Sequence, residues 1–371
     1  MAEKISFGKV MTIGGAMVAY LIGAGFASGQ ESLQFFTYFG RFGALGAAAI
    51  TLTLYIWFSA TLMEDGKKLN LEQPNDIFQY YCGKYLARFY EWFTPIFLYS
   101  IFVVMCAGAG AIAAEYYGVD TFWGRLGMTI LASGTVLLGL RRLIDIVGKI
   151  GPLIILFGVF VGLYSLISAP SGAIGQADEL LKTLPVNRAA SNWALSGTLF
   201  AAFGCVLSMP FFCSLGKIAN NRTEARLGGI AGALMFMGAC LAMAFGLMAY
   251  LPETWNMKVP TLFLAHKIFP AMGVSFSMIL LGAIYTTASP MFWIGCNRFA
   301  PDEKSTRFKV VVLIGAVLGL ILSAVDFPKL VNTIFPLSGY LGILLFICVF
   351  VRGLRSRLGH QTGDKVSAPV L

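Results

Sequence analysis

The chain has 371 residues, and its 27 lysines and arginines exceed its 18 aspartates and glutamates to give a net charge of +9. Charged residues make up 12% of the chain and hydrophobic residues 57%, whereas a soluble chain carries about 25% charged residues. This is too little charge to cover the surface of a soluble fold. The composition therefore argues against a soluble enzyme, a nucleic-acid-binding protein and a disordered chain.

Ten uncharged runs of fifteen or more residues follow one another along the chain. They cover residues 10–30, 42–63, 92–114, 126–140, 150–177, 189–216, 227–252, 268–297, 310–325 and 330–351. A helix needs about 20 apolar residues to cross a bilayer, and only the fourth and ninth runs need several flanking residues to do so. The runs predict an all-α integral membrane protein with ten transmembrane helices, the first of which is retained rather than cleaved as a signal peptide.

Lysine and arginine are unevenly distributed over the connections between these runs. The two tails and the even-numbered connections hold 20 of the 27 basic residues, and the odd-numbered connections hold the other seven. Because basic loops remain in the cytoplasm, we expect a multi-pass protein of the cytoplasmic membrane with both termini cytoplasmic. The lipid bilayer also accounts for the basic charge without a nucleic-acid partner.

Several features recur at a separation of about 185 residues and indicate an internal repeat. The short runs are the fourth and the ninth, and the amphipathic segments 74–92 and 260–269 begin with prolines 186 positions apart. With five helices in each half, the second half enters the membrane from the opposite face. We expect a first five-helix repeat over 1–170, an extracytoplasmic connection over 171–191, a second repeat over 192–352 and a cytoplasmic tail over 353–371.

The first run contains three glycines within seven residues, Gly23, Gly25 and Gly29. Each weakens a helix by about 1 kcal/mol relative to alanine. One interpretation is close packing of helices through small residues. The other is a helix break near mid-membrane, which frees backbone N–H and carbonyl groups that can hold a carboxylate and a cation side by side.

The equivalent position in the sixth run carries Gly204, Leu207, Ser208 and Pro210. Proline removes a backbone donor and clashes with the preceding turn, so a second break is expected here, facing the first. Matching interruptions in the two halves indicate a transporter binding site. The candidate substrate-binding residues are Gly23, Ala24, Gly25, Gly204, Leu207 and Ser208.

The eighth run places Ala283, Thr286 and Thr287 on one helical face. Pro290 cannot bond to the carbonyl of Thr286, so hydroxyl and carbonyl oxygens converge there. Hard cations take such ligands. The alternative is that both threonines bond back to their own helix backbone.

The segment from Ile22 to Glu31, Ile-Gly-Ala-Gly-Phe-Ala-Ser-Gly-Gln-Glu, resembles the first-helix signature of the YkvI-like permeases. These belong to the amino acid–polyamine–organocation superfamily, which has the LeuT-type fold. The segment 216–222, Gly-Lys-Ile-Ala-Asn-Asn-Arg, also resembles that superfamily. The resemblance implies ten helices in a 5+5 inverted repeat, with helices 1 and 6 interrupted at mid-membrane.

The resemblance also implies roles for individual residues. The glycine break at Gly23, Ala24 and Gly25 would receive a substrate carboxylate. Sodium would be held by the carbonyls of Ala19 and Ile22 together with Ala283, Thr286 and Thr287. No residue of this set is acidic, so either sodium or a proton is compatible as the coupling ion, and no other cofactor is expected.

Two ionisable residues at the edges of these runs are candidates for coupling or gating. Glu31 lies six residues, about 9 Å of helix, beyond Gly25, where it either receives a substrate amine, gates the site, carries a proton, or faces outer water as an interfacial carboxylate. Lys149 lies one and a half turns into the fifth span from the cytoplasm, where Asp145, four residues earlier, is a possible ion-pair partner. In some proton-coupled relatives a lysine of helix five takes the place of the cation.

The cysteines and histidines do not predict a metal centre. The seven cysteines show no CxxC spacing, and the two histidines, His266 and His360, share no cluster with them. Six of the cysteines lie in apolar stretches, where cysteine behaves as a small hydrophobic residue.

These observations favour a secondary active transporter, a cation-coupled symporter of a small amino acid or related organic ion. A non-transporting sensor on the same fold and a proton-coupled carrier using Lys149 are the alternatives. No GxSxG or HExxH motif indicates an enzyme.

Overall fold

The computed structural model describes residues 5–71, 73, 75–138 and 155–361, with side chains to residue 355. Over these residues the chain is helical, and no strand occurs among them. The helices are α1 Phe7–Leu21, α2 Ala24–Ser28, α3 Gln30–Phe35, α4 Gly40–Leu69, α5 Asp76–Tyr117, α6 Thr121–Leu138, α7 Ile155–Ile167, α8 Ala173–Leu180, α9 Trp193–Ile218, α10 Arg222–Ala249, α11 Leu251–Thr254, α12 Pro260–Ile268, α13 Pro270–Phe299, α14 Thr306–Leu322 and α15 Phe327–Gln361. A 3-10 turn, Thr37–Phe39, joins α3 to α4.

Within the described residues, six segments are long and apolar enough to cross a membrane. They are Gln30–Leu69, Asp76–Tyr117, Trp193–Ile218, Arg222–Ala249, Pro270–Phe299 and Phe327–Arg355. The shorter helices also expose large apolar side chains: Ile167 of α7 is 83% exposed and Leu313 of α14 is 66% exposed. Such surfaces are stable against lipid rather than water. The protein is therefore a multi-pass helical membrane protein, and each of the ten predicted runs contains a helix.

Polar side chains start several of these helices. The side chains of Asn192, Asn221 and Ser305 accept hydrogen bonds from backbone N–H groups three residues later, at 2.8–3.1 Å. They satisfy donors that the first helical turn leaves unpaired. The beginnings of α9, α10 and α14 are thus fixed by the local sequence.

Small residues bring α4 close to α9 and α10. A Cβ at Gly197 of α9 would overlap the carbonyl oxygen of Ala47, so only glycine fits there. The Thr51 hydroxyl donates to the Gly197 carbonyl at 2.8 Å, and the Ser59 hydroxyl donates to the Gly229 carbonyl at 3.0 Å. This close packing is the mode that membrane helices favour.

The first helix breaks where the glycines predicted, but the sixth does not. The helix α9 continues through Gly204 and Pro210 as a single α-helix, so the predicted interruption of helix 6 is wrong. A proline removes only one helical hydrogen bond, here to the Val206 carbonyl. Gly204 packs closely against Tyr55, because a Cβ there would overlap the Tyr55 hydroxyl and lie 3.1 Å from Tyr55 Cζ.

Candidate functional site

The break in the first helix lies at Ile22 and Gly23. Both have extended backbone, with ψ of 91° at Ile22 and −168° at Gly23. The Gly23 N–H bonds to the Leu21 carbonyl at 3.1 Å, instead of to the Ala19 carbonyl as a continuous helix requires. The Ala19 carbonyl thereby loses its helical donor.

The break faces the predicted oxygen cluster of α13. A Cβ at Gly23 would lie 3.6 Å from Thr287 Oγ1. The hydroxyls of Thr286 and Thr287 both donate to the Ala283 carbonyl at 3.0 Å, which is the back-bonding that the alternative interpretation expected. Each hydroxyl keeps lone pairs for a further ligand. The structure therefore brings Gly23, Ala283, Thr286 and Thr287 together, with Ile22 buried and Ala19 exposed on the α1 side of the break.

Tyr20 joins the end of α1 to the proline region of α9. Its hydroxyl donates to the Leu207 carbonyl at 2.9 Å, and its ring stacks on Phe211 with centroids 4.1 Å apart. Close by in sequence, the Ser208 hydroxyl is fully buried and has no hydrogen-bond partner among the described residues. A buried polar atom without a partner is uncommon in native proteins, and it is consistent with a ligand position on α9.

Glu31 does not lie 9 Å beyond Gly25, as the helical spacing predicted. Gly29 has a φ of +85°, a left-handed conformation that glycine adopts without strain, and it separates α2 from α3. The Glu31 side chain folds back onto α2, where a Cβ at Gly25 would overlap Oε1 and lie 2.7 Å from Cδ. The interfacial interpretation is therefore wrong, because Glu31 is only 8% exposed.

The Glu31 carboxylate has no hydrogen bond or ion pair with any described residue. Because an unpaired carboxylate in a membrane bundle is costly, Glu31 remains a candidate for a functional position.

A chain of buried amides holds α3 in place. Gln30 Nε2 donates to the carbonyls of Met257 and Lys258 at 2.7 and 3.1 Å, and Gln34 Nε2 donates to Gln30 Oε1 at 2.8 Å. Asn332 Nδ2 of α15 donates to Gln34 Oε1 at 3.2 Å. Sequence reasoning missed this set, although two glutamines four residues apart beside Glu31 are a detectable signal.

The helix α12 supports α2 from the same end of the bundle. The Thr261 hydroxyl donates to the Ala27 carbonyl at 2.6 Å. Pro260 and Thr261 also approach Gly29 so closely that a Cβ there would lie 2.9 Å from Thr261 Cγ2. The short helix is therefore held by α12 rather than by its own length.

The other coupling candidate, Lys149, and its neighbour Asp145 lie outside the described residues. Within the part of the chain that the structure describes, no group of three or more His, Cys, Asp or Glu residues is placed to hold a metal ion.

No family model matches the chain. It is 22% identical over 338 residues to the uncharacterized membrane protein YkvI of Bacillus subtilis, covering 91% of this chain and 94% of that one. It is 26% identical over 341 residues to the uncharacterized protein YyaD of the same organism, covering 91% and 95%.

Two solved transporter structures resemble the whole chain. MhsT in complex with L-phenylalanine matches with a TM-score of 0.60 at 11% identity, covering 95% of this chain and 90% of that one. A Na+-coupled sialic acid symporter matches with a TM-score of 0.59 at 13% identity, covering 93% and 79%. The chain has the LeuT-type transporter fold. The proteins it is similar to are membrane proteins and transporters, not enzymes.

Proposed function

We propose that the chain is a secondary active transporter that moves a small amino acid or related organic ion across the cytoplasmic membrane by alternating access. The observation that carries this proposal is the break at Gly23, which faces Thr287 inside a transporter fold. Non-helical backbone is tolerated within a membrane where it lines a binding site. The proposal includes ten transmembrane helices in a 5+5 repeat, with both termini cytoplasmic.

The coupling cation is sodium in this proposal. Its ligands are the carbonyls of Ala19, Ile22 and Ala283 and the hydroxyls of Thr286 and Thr287. Three of these oxygens already lie together, since both hydroxyls are 3.0 Å from the Ala283 carbonyl. Neutral oxygens suit a hard monovalent cation, which exchanges part of its hydration shell for them.

The substrate contacts Gly23, Ala24 and Gly25 on one side and Gly204, Leu207 and Ser208 on the other. The unpartnered Ser208 hydroxyl supports the α9 side of this site. On the α2 side, Ala24 and Gly25 are buried directly after the break.

Uptake by purified protein in proteoliposomes tests the proposal. A panel of labelled amino acids and amines is offered with an inward sodium gradient and with choline in its place. We expect accumulation of at least one solute that depends on the gradient. A protein that binds a solute but never accumulates it is a sensor and contradicts the proposal.

A further inference from the structure

Two cysteines that are distant in sequence meet where α5 contacts α15. All seven cysteines lie in the described part of the chain, and five of them are buried, whereas Cys82 and Cys348 are partly exposed. The two partly exposed thiols share a hydrogen bond. This pair therefore combines contact between two thiols with access from outside the protein.

Two neighbouring contacts hold the same surfaces of α5 and α15 together. The Tyr90 hydroxyl donates to the Leu341 carbonyl at 2.7 Å, and the Arg352 guanidinium carbon lies 4.4 Å from the centroid of the Tyr80 ring. Leu341, Cys348 and Arg352 are spaced by seven and four residues, so they lie on one face of α15. Their partners on α5 follow in the opposite order, as expected for antiparallel segments. The contact between the thiols thus lies between two other contacts of the same interface.

The chain bends directly after Cys82. Gly83 has a φ of 70° and a ψ of 176° inside α5, a conformation that glycine adopts readily. The bend separates the arm, residues 76–82, from the long helical part of α5. Tyr81 of the arm donates to the Asp65 carboxylate of α4. The arm is therefore fixed on α4 as well as on α15, and its last residue is held at Cys348.

We propose that Cys82 and Cys348 form a reversible disulfide when the protein meets hydrogen peroxide. The peroxide oxidises one thiolate to a sulfenic acid and is itself reduced to hydroxide, which takes up a proton as water. The second thiol attacks the sulfenic sulfur, the S–S bond forms, and a second water leaves. Two thiols and one peroxide thus give one disulfide and two waters. A dithiol reductant reverses the link by thiol–disulfide exchange.

The pair has the position that a redox-sensing site requires. In the proposed topology both thiols lie at the cytoplasmic face, where disulfides are usually transient and report on oxidants. Thiols of this kind must be accessible, and the five buried cysteines are not. The link would tie the arm to α15 and restrict movement between them. This inference does not depend on what the protein transports.

Counting the maleimide-reactive thiols of the purified full-length protein tests the inference. The native, reduced protein should take up two labels, at Cys82 and Cys348, because the other five cysteines are buried. After treatment with hydrogen peroxide it should take up none, and its mass should be lower by two hydrogen atoms. Peptide mapping should find the two cysteines linked, and dithiothreitol should restore both labels.

Three variants separate a link between these residues from oxidation elsewhere. Cys82→Ser and Cys348→Ser each leave one partly exposed thiol, so peroxide should give a sulfenic acid that dimedone traps, but no link. Cys213→Ala removes a buried thiol of α9 and should leave the link unchanged. The link should also raise Tm of the wild type, because it restricts the unfolded chain. Neither serine variant should show this rise.

Four results would overturn the inference. Both labels could persist after peroxide, the link could join two copies of the chain on a non-reducing gel, or the two sulfurs could end as separate sulfinic acids. A link that fails to raise Tm would show that the two segments must be distorted to form it. The transport proposal survives each result, because it fails only if no solute accumulates in the proteoliposomes.

Discussion

Thr286 and Thr287 hold their hydroxyls 3.0 Å from the Ala283 carbonyl, beside the backbone of Gly23. At the scale of single residues, this is the arrangement from which the sodium site is proposed. The hydroxyl hydrogens satisfy the helix backbone, and the oxygen lone pairs remain for an ion. Removing one hydroxyl therefore removes a ligand without disturbing the fold.

We predict that Thr287→Val or Thr286→Val raises the sodium concentration needed for half-maximal uptake by about tenfold. Loss of one polar contact costs on the order of 1–3 kcal/mol, and about 1.4 kcal/mol corresponds to tenfold. Thr53→Val is the matched control, because the exposed Thr53 hydroxyl bonds back to Ala49 in the same way, at 2.8 Å. Equal uptake in sodium and choline by the unsubstituted protein would reject the sodium site.

Gly204 and Tyr55 provide a second test at the residue scale. A Cβ at Gly204 would overlap the Tyr55 hydroxyl, so we expect Gly204→Ala to destabilise the protein by about 1–3 kcal/mol, the range for overpacking. Tyr55→Phe removes that hydroxyl and should relieve most of the loss in the double variant. Thermal unfolding of the four proteins measures this coupling, and strictly additive effects would show that the two residues do not meet.

At the scale of elements, the short helices α2 and α3 are held by their neighbours. Five residues of α2 and six of α3 are too few for an isolated helix in water. Their supports are Thr261 of α12 and the amides of Gln30, Gln34 and Asn332. Contacts from α12 therefore hold the segment that directly follows the break at Gly23.

We predict that Gln30→Met destabilises this end of the bundle. It leaves the carbonyls of Met257 and Lys258 without the donor they now share, at a cost of about 1–3 kcal/mol. Amide hydrogen exchange in the segment between α11 and α12 should accelerate, because the segment loses its hydrogen bonds to α3. Gln176→Met, at an exposed position on α8, is the control. Unchanged exchange in Gln30→Met would show that the amide does not restrain the segment.

The sequence predicted which segments are helical better than it predicted where the helices break and how the chain turns there. Three glycines predicted the break at Gly23, because they lower helical stability locally. Pro210 predicted a break in α9 that did not form, since packing along α4 maintains a helix that lacks one hydrogen bond. Gly29 has a left-handed backbone and packs against Pro260 and Thr261, which are distant in sequence, so the contact between Glu31 and Gly25 could not be predicted from helical spacing alone.

At the scale of the whole molecule, the proposed topology assigns the connections to opposite faces of the membrane. The connection before α12 belongs to the outer face and the connection before α14 to the cytoplasmic face. In intact cells, Glu253→Cys should therefore react with an impermeant maleimide, whereas Asp302→Cys should react only after permeabilisation. The unsubstituted chain gives the background, and the reverse labelling pattern would contradict cytoplasmic termini.

The measurement that tests the central claim most directly is solute counterflow. Proteoliposomes are loaded with an unlabelled solute that raises Tm and are then diluted into a trace of the same solute in labelled form. An alternating-access transporter exchanges the two, so we expect transient accumulation of label in the wild type and strongly reduced exchange in Glu31→Gln. Binding without any counterflow in the wild type would contradict transport and identify the chain as a sensor.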